Sequence, residues 1–254
     1  VLNSRLDGRP SHETLVRLDQ SMDIKVLSGG AANGLVSALE PAFRKETGFG
    51  VSGDFGAVGG MRDRILAGEA VDLVLLTKAI VADLGTEGIV DRNNVSDVGT
   101  VATSVAVRAG DPAPDVSNSS ALKSALLAAD AIYFPDPEKA TAGIHFAKVL
   151  SNLGIYDVVA DNLRTFPNGQ TAMAALGQAP DKNPIGSTQV TEILNTPGVA
   201  LVGALPPGCE LVTTYTGAVS ARAEHKEQAN AFLNMLTDPS IKAVRAQKGF
   251  GEAT

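Results

Sequence analysis

Apolar residues recur along this chain with two periods, and the switches between them mark its elements. From Ile24 to Leu27 a short run of apolar and β-branched residues ends at Ser28-Gly29-Gly30, and apolar positions then fall at Leu35, Val36, Leu39 and Phe43. The spacing predicts strand, tight loop and helix over Asp23 to Phe43. The unit then repeats. Gly50 to Phe55 reads as a strand, Gly56-Ala57-Val58-Gly59-Gly60 as a small-residue loop, and Met61 to Ala67 as a helix. Val71-Asp72-Leu73-Val74-Leu75-Leu76 is nearly continuous apolar sequence, as expected of a parallel strand covered on both faces, and Thr77-Lys78 opens a third helix. Three βα units in a row predict an α/β lobe.

Asp97 to Arg108 reads as a long strand, and Gly110-Asp111-Pro112-Ala113-Pro114 then breaks the pattern in the way that marks a passage between lobes. The pattern restarts with a helix over Ala121 to Ala129 and a strand over Ala131 to Phe134. Thr141-Ala142-Gly143 leads into a helix that ends near Gly154. A strand over Leu163 to Phe166 meets Pro167-Asn168-Gly169-Gln170-Thr171, with helix from Ala172 to Leu176. Pro184 to Ser187, Val199 to Val202 and Thr213 to Arg222 read as strands, with a short helix from Gln189 to Leu194. Two long strands bracketing the middle of the chain predict two crossovers. Lobe 1 is then residues 23–102 with 219–254, and lobe 2 is residues 103–218. Helices over Glu224 to Leu236 and Asp238 to Gln247 return to lobe 1, the last started by the Asp238-Pro239 cap and first-turn proline.

A small-residue loop between a strand's carboxyl end and a helix's first turn leaves backbone N–H groups without intrahelical partners. One such loop reads equally well as an ordinary turn. Four of them, two in each half, favour an anion clamped between lobes.

Composition narrows the choices. The chain has 254 residues, 44% hydrophobic and 19% charged, so it can bury a sizeable core. A formal net charge of -7 provides no basic footprint, which argues against nucleic acid and anionic membrane surfaces as partners. One cysteine, Cys209, excludes an intrachain disulfide framework and reads as an inert loop thiol. Three scattered histidines give no metal-site spacing, and neither a metal nor a cofactor is expected. No apolar run approaches the roughly 20 residues that span a bilayer. Residues 1–22 lack both periods and read as a leader or an appended segment. A natural start at Met22 would make the protein cytoplasmic, whereas replacement of a native signal would make it exported.

The chain resembles the molybdate-binding-protein branch of the type II periplasmic binding proteins from Asp23 to Phe250. The resemblance is carried by VLSGGAANGLVSALEPAF, DFGAVGGMRDRILAGEAVDLVLLT, FPDPEKATAGIHFAKVLSNLGI, PIGSTQVTEIL and EQANAFLNMLTDPSIKAVRAQKGF. It implies an α/β, two-lobed type II fold, each lobe a mostly parallel sheet flanked by helices, joined by two crossover strands and closing on a small anion. The grip that it implies falls at about Ala31, at Val58 to Gly60, at Ala142, at Gly169 and at Gln189. The departures are informative. Where a molybdate binder places hydroxyls in its first two loops, this chain has Ala31 and Ala57-Val58-Gly59, and Gln189 stands in place of a tyrosine. Each lost hydrogen bond costs on the order of 1 kcal/mol or more, so a small carboxylate is expected rather than molybdate.

The expected ligand-binding set is Ser28, Gly29, Gly30, Ala31, Asn33, Val58, Gly59, Gly60, Arg62, Thr77, Thr141, Ala142, Gly169 and Gln189. Arg62 reads either as a partner for a second carboxylate or as a solvated surface arginine, and His145 as a contact or as a packed helix residue. The expected function is a solute-binding component of an ABC-type importer, a periplasmic monomer that hands a small organic anion to a membrane permease. The alternative is an enzyme similar to aconitate isomerase, which also resembles this branch. Its allylic proton shift needs a base, for which the sequence offers Lys78, His145 and Glu192.

Overall fold

The computed structural model describes residues 22–252, so the reading of residues 1–22 as a leader falls, apart from Met22, outside the described residues. The run Ile24 to Leu27 forms the inner part of β1 (Asp23–Gly29), which lies between β2 (Gly50–Gly56) and β3 (Leu73–Thr77), parallel to both. Burial on both faces is why β1 and β3 read as continuous apolar runs rather than alternations. β3 pairs antiparallel with β9 (Val212–Ser220), and β9 pairs antiparallel with β4 (Val90–Arg108).

β4 belongs to both halves of the molecule. Its residues 90–102 pair with β9, whereas residues 103–108 pair antiparallel with β7 (Pro184–Gln189) and β8 (Val199–Ala204). On the far side of β7 lie β5 (Ala131–Pro135) and β6 (Leu163–Phe166), parallel to each other, with β5 parallel to β7. The strands therefore follow one order, β2-β1-β3-β9-β4-β7-β5-β6, that is continuous only through β4. Each half holds three parallel strands plus the antiparallel strands that connect it, as the sequence predicts. β9 pairs with β4 from Val212, opposite Ala102, within two residues at each end of the strand read from the sequence over Thr213 to Arg222.

Helices cover the sheet. α1 (Asn33–Thr47) buries Leu35, Val36, Leu39 and Phe43 against the first sheet and ends at Gly48, whose φ of 78° and N–H to the Arg44 carbonyl form a left-handed cap. α2 (Val58–Leu66), α3 (Lys78–Thr86) and α8 (Lys226–Thr237) complete this half, with Phe232 against Phe43 at a ring-centroid distance of 4.8 Å. α9 (Lys242–Gln247) follows a short 3-10 turn that Asp238 caps through the Ser240 N–H at 2.7 Å. In the second half α4 (Ser119–Ala128) and α5 (Thr141–Asn152) pack Leu122, Leu126, Phe146 and Leu150 on one face of the sheet. α6 (Gly169–Gly177) packs Met173 and Leu176 on the other. α7 (Val190–Leu194) closes the set at the junction of the halves. α2 and α6 each begin about three residues before the sequence suggests, so their small-residue loops are first turns of helix.

Phe232 is fully buried at the contact of α1 with α8. Phe232→Ala should lower stability by about 3–5 kcal/mol, read as a lower midpoint of urea unfolding with an unchanged slope.

Candidate functional site

Five helix or turn N-termini meet where the halves join. From the first half come Gly30, in the 3-10 turn after β1, then Ala57 and Val58 at the start of α2, with Tyr215 of β9 behind them. From the second half come Thr141 and Ala142 of α5, Gly169 of α6, Gln189 at the end of β7 and Glu192 of α7. The void between them is about 20 Å³, room for about one water molecule. Three hydrogen bonds cross the junction beside it: the Gly59 N–H to the Lys139 carbonyl at 3.2 Å, the Asn33 side-chain amide to Gln170 Oε1 at 2.7 Å and the Tyr215 hydroxyl to Gln189 Oε1 at 2.8 Å. The halves touch across the junction through these bonds.

Side-chain caps are unevenly spread over the helix starts, and α1, α3, α8 and α9 also lack them. Asn118 caps α4 through the Ala121 N–H at 2.9 Å, but α2 and α5 have Ala57 and Ala140 at the cap position and no side-chain cap. Alanine in place of a capping residue costs on the order of 1 kcal/mol per helix. One uncapped end from each half thus leaves backbone donors directed at the same space.

Glu192 is the buried carboxyl of the site. It accepts the Thr188 hydroxyl at 2.5 Å and the backbone N–H groups of Gly169, Gln170 and Gln189. Those partners are all neutral. Burial lifts its pKa to about 7, against the lowering effect of these hydrogen bonds. A Cβ at Gly30 or at Gly169 would collide with one of its oxygens, so a glycine from each half makes the room it occupies. The entrance of α6 is therefore already filled, by Asn168 in a capping box with Thr171 and by this carboxyl.

Gln189 supplies the free donor. Its Oε1 accepts the Tyr215 hydroxyl at 2.8 Å, and its Nε2 is buried without a partner. Tyr215 is itself held neutral, its pKa raised by burial and then by the Glu192 charge.

Of the residues expected from the sequence, Gly30, Val58, Thr141, Ala142, Gly169 and Gln189 line the void. Others are engaged elsewhere. The Ser28 hydroxyl donates to the Gly29 carbonyl at 2.8 Å, and the Gly59 N–H and the Asn33 amide are spent on the bonds across the junction. Gly29 packs against Tyr215 and Val58 beneath the site, Ala31 is buried in the first core, and Gly60 has open space beside it. Arg62 is half-exposed, 3.9 Å from Glu87, and does not line the void. Thr77 ends β3 opposite Tyr215 without lining the void. Among the base candidates, Lys78 pairs with Asp97 at 2.6 Å and the His145 ring nitrogen meets the Cys209 carbonyl at 2.8 Å, which leaves Glu192 at the void. Tyr215 and Ala140 are the residues that sequence reading misses. A tyrosine within Thr-Thr-Tyr-Thr-Gly looks like any inward residue of a strand, and an alanine cap has no signature at all. Among the described residues no cluster of His, Cys, Asp and Glu is placed to hold a metal ion, and no helix is long and apolar enough to cross a membrane.

Two α/β halves closed over a donor-lined void define a solute-binding protein of the periplasmic type. Residues 24–251 match the family described as bacterial extracellular solute-binding protein, and the chain belongs to that family. It is 29% identical over 242 residues to an aconitate isomerase of a Pseudomonas species, covering 88% of this chain and 89% of that protein. The periplasmic molybdate-binding protein of Azotobacter vinelandii superposes with a TM-score of 0.76 at 17% identity, covering 91% of this chain and all (100%) of that one. The sulfate-binding protein SubI of Mycobacterium tuberculosis superposes with a TM-score of 0.69 at 21% identity, covering 90% and 86% of the two chains. At these identities the two structures establish the fold that they share with this chain.

The raised pKa of Glu192 has a consequence for stability. An acid whose folded pKa lies above its unfolded value of 4.5 adds stability below that value, and the contribution is lost as pH rises towards about 7. Urea unfolding between pH 5 and pH 7.5 should show the wild type losing up to about 3 kcal/mol from this group. Glu192→Gln should lack that part of the slope.

Proposed function

We propose that this protein binds a small organic anion with two or three carboxylates at the junction of its halves and passes it to the permease of an ABC-type importer. The observation that carries this reading is the Gln189 amide: buried, oriented by Tyr215, and with no acceptor for its Nε2. A buried donor left unpaired costs about 1–3 kcal/mol, and an acceptor on a solute removes that penalty. The uncapped ends of α2 and α5 support the same reading, because they offer N–H groups from opposite halves and so suit a solute with an acceptor at each end. A compact tetrahedral dianion is served less well. The hydroxyls that would surround it are alanine and glycine here, or, in Ser28, already donated to the chain. Periplasmic residence and action as a monomer accompany this reading.

A second reading is favoured by one observation, the placement of Glu192 at the void, together with the aconitate isomerase relative. In an allylic shift a base takes a proton from a methylene carbon next to a carboxylate. The electron pair moves through the double bond, and a proton returns to the former vinylic carbon. Glu192 is the group at the void able to carry that proton, and the N–H groups at the helix ends would stabilise the charge that develops.

Thermal shift and calorimetry with citrate, tricarballylate, succinate, trans-aconitate, sulfate and molybdate separate the outcomes. At least one di- or tricarboxylate should raise the melting temperature, and Gln189→Leu should weaken it at least tenfold, about 1.4 kcal/mol. Submicromolar molybdate binding with no response to any carboxylate would overturn the first reading. The second predicts conversion of trans- to cis-aconitate, followed by NMR in D2O, that falls at least about a hundredfold in Glu192→Gln. Absence of both conversion and deuterium uptake would sink it.

A further inference from the structure

The Glu192 carboxyl raises a difficulty for any anion at this site. It lies on the wall of the void, between Gly30 of one half and Gly169 of the other, with room made for it by two glycines. The groups that face it come from every element packed around it. Thr188 and the Gln189 N–H belong to its own segment, the Gly169 and Gln170 N–H groups to α6, and Gly30 to the turn after β1. Among the described residues the titratable neighbour at the void is Tyr215 of β9, a phenol kept neutral by burial and then by the Glu192 charge. Among the described residues no lysine, arginine or histidine forms an ion pair with it.

Two carboxylates sharing a buried space without a cation do not both stay ionised. Resting on the carboxylate-binding reading, we infer that Glu192 receives the solute as a neutral acid, its O–H donating to a carboxylate of the solute, so that each solute is bound together with one proton from solvent. The balance is simple: the proton comes from water or buffer, bonds to a Glu192 oxygen, and leaves again when the solute leaves. The group needs no further partner to do this. The near-neutral pKa of Glu192 fits, because the proton is then available at neutral pH and becomes scarce just above it. Glu192 thereby sets specificity, favouring solutes that present an acceptor at this wall and disfavouring them as pH rises.

Tricarballylate is a suitable probe, since it has carboxylates but no double bond to shift. Its binding is measured by calorimetry at pH 8 in two buffers of different ionisation enthalpy, and its Kd is measured from pH 6 to pH 9. The wild type should take up close to one proton per solute at pH 8, with Kd rising about tenfold per pH unit above 7. Glu192→Gln should take up none and give a flat profile. Thr188→Val, which removes a hydroxyl that favours the ionised carboxyl, should move the break in the profile to higher pH, and it keeps the question answerable if the glutamine variant fails to fold. Tricarballylate bound with equal affinity at pH 6 and pH 9, and without proton uptake, would overturn the inference while leaving the carboxylate reading intact. Tighter binding of an ammonium-bearing solute above pH 7 would also overturn it, by showing that the ionised carboxyl pairs with a cation. No response to any di- or tricarboxylate across this range would remove the carboxylate reading, and the proton with it.

Discussion

A backbone N–H carried into a buried place must meet an acceptor, and the junction of this molecule concentrates such groups. Helix starts from both halves converge there, and the chain satisfies them unequally. At α6 the demand is met from within, by Asn168 and by Glu192. At α2 and α5 the cap positions are alanines, and the donors are left to whatever enters. The contrast between filled and unfilled ends gives the site its polarity, on a chain whose net charge of -7 provides no basic patch. Local dipoles in a dry space act where long-range attraction is missing.

Most of the fold was legible in the sequence because it rests on periodicity. The apolar runs of β1 and β3, the helical spacing of Leu35, Leu39 and Phe43, and the restart of the pattern after residue 114 are direct products of burial. Boundaries were less legible. Small residues such as Val58 to Gly60 and Gly169 to Thr171 serve a loop or a first helical turn equally well, and only packing decides between them.

The site was legible in its places more than in its roles. Gly30, Val58, Thr141, Ala142, Gly169 and Gln189 line the void, and the loops before helices that carry them can be seen in sequence. Which donors remain free could not be seen, since that depends on contacts between distant residues: Gly59 with Lys139, Asn33 with Gln170, Gln189 with Tyr215. Glu192 shows the limit most clearly. In sequence it is one glutamate in Val-Thr-Glu-Ile-Leu, with nothing to separate it from a solvated helix residue, and its chemistry comes from glycines 162 and 23 positions away in the chain, at Gly30 and Gly169.

The sharing of β4 between the two sheets also bears on how the molecule moves. The halves are not beads on a string, because the strand between them is hydrogen-bonded along most of its 19 residues, with β9 on one half and β7 and β8 on the other. The C-terminal segment adds a short bridge at the same place, Gly251 against Thr100, with the Gly251 N–H on the Thr100 carbonyl at 2.7 Å. Parting the halves therefore means twisting a ribbon rather than swinging a door: the change is spread over many small dihedral adjustments, and elastic resistance grows with the angle. A ribbon of this kind would hold the halves to one register, and with it the starts of α2 and α5 to one separation.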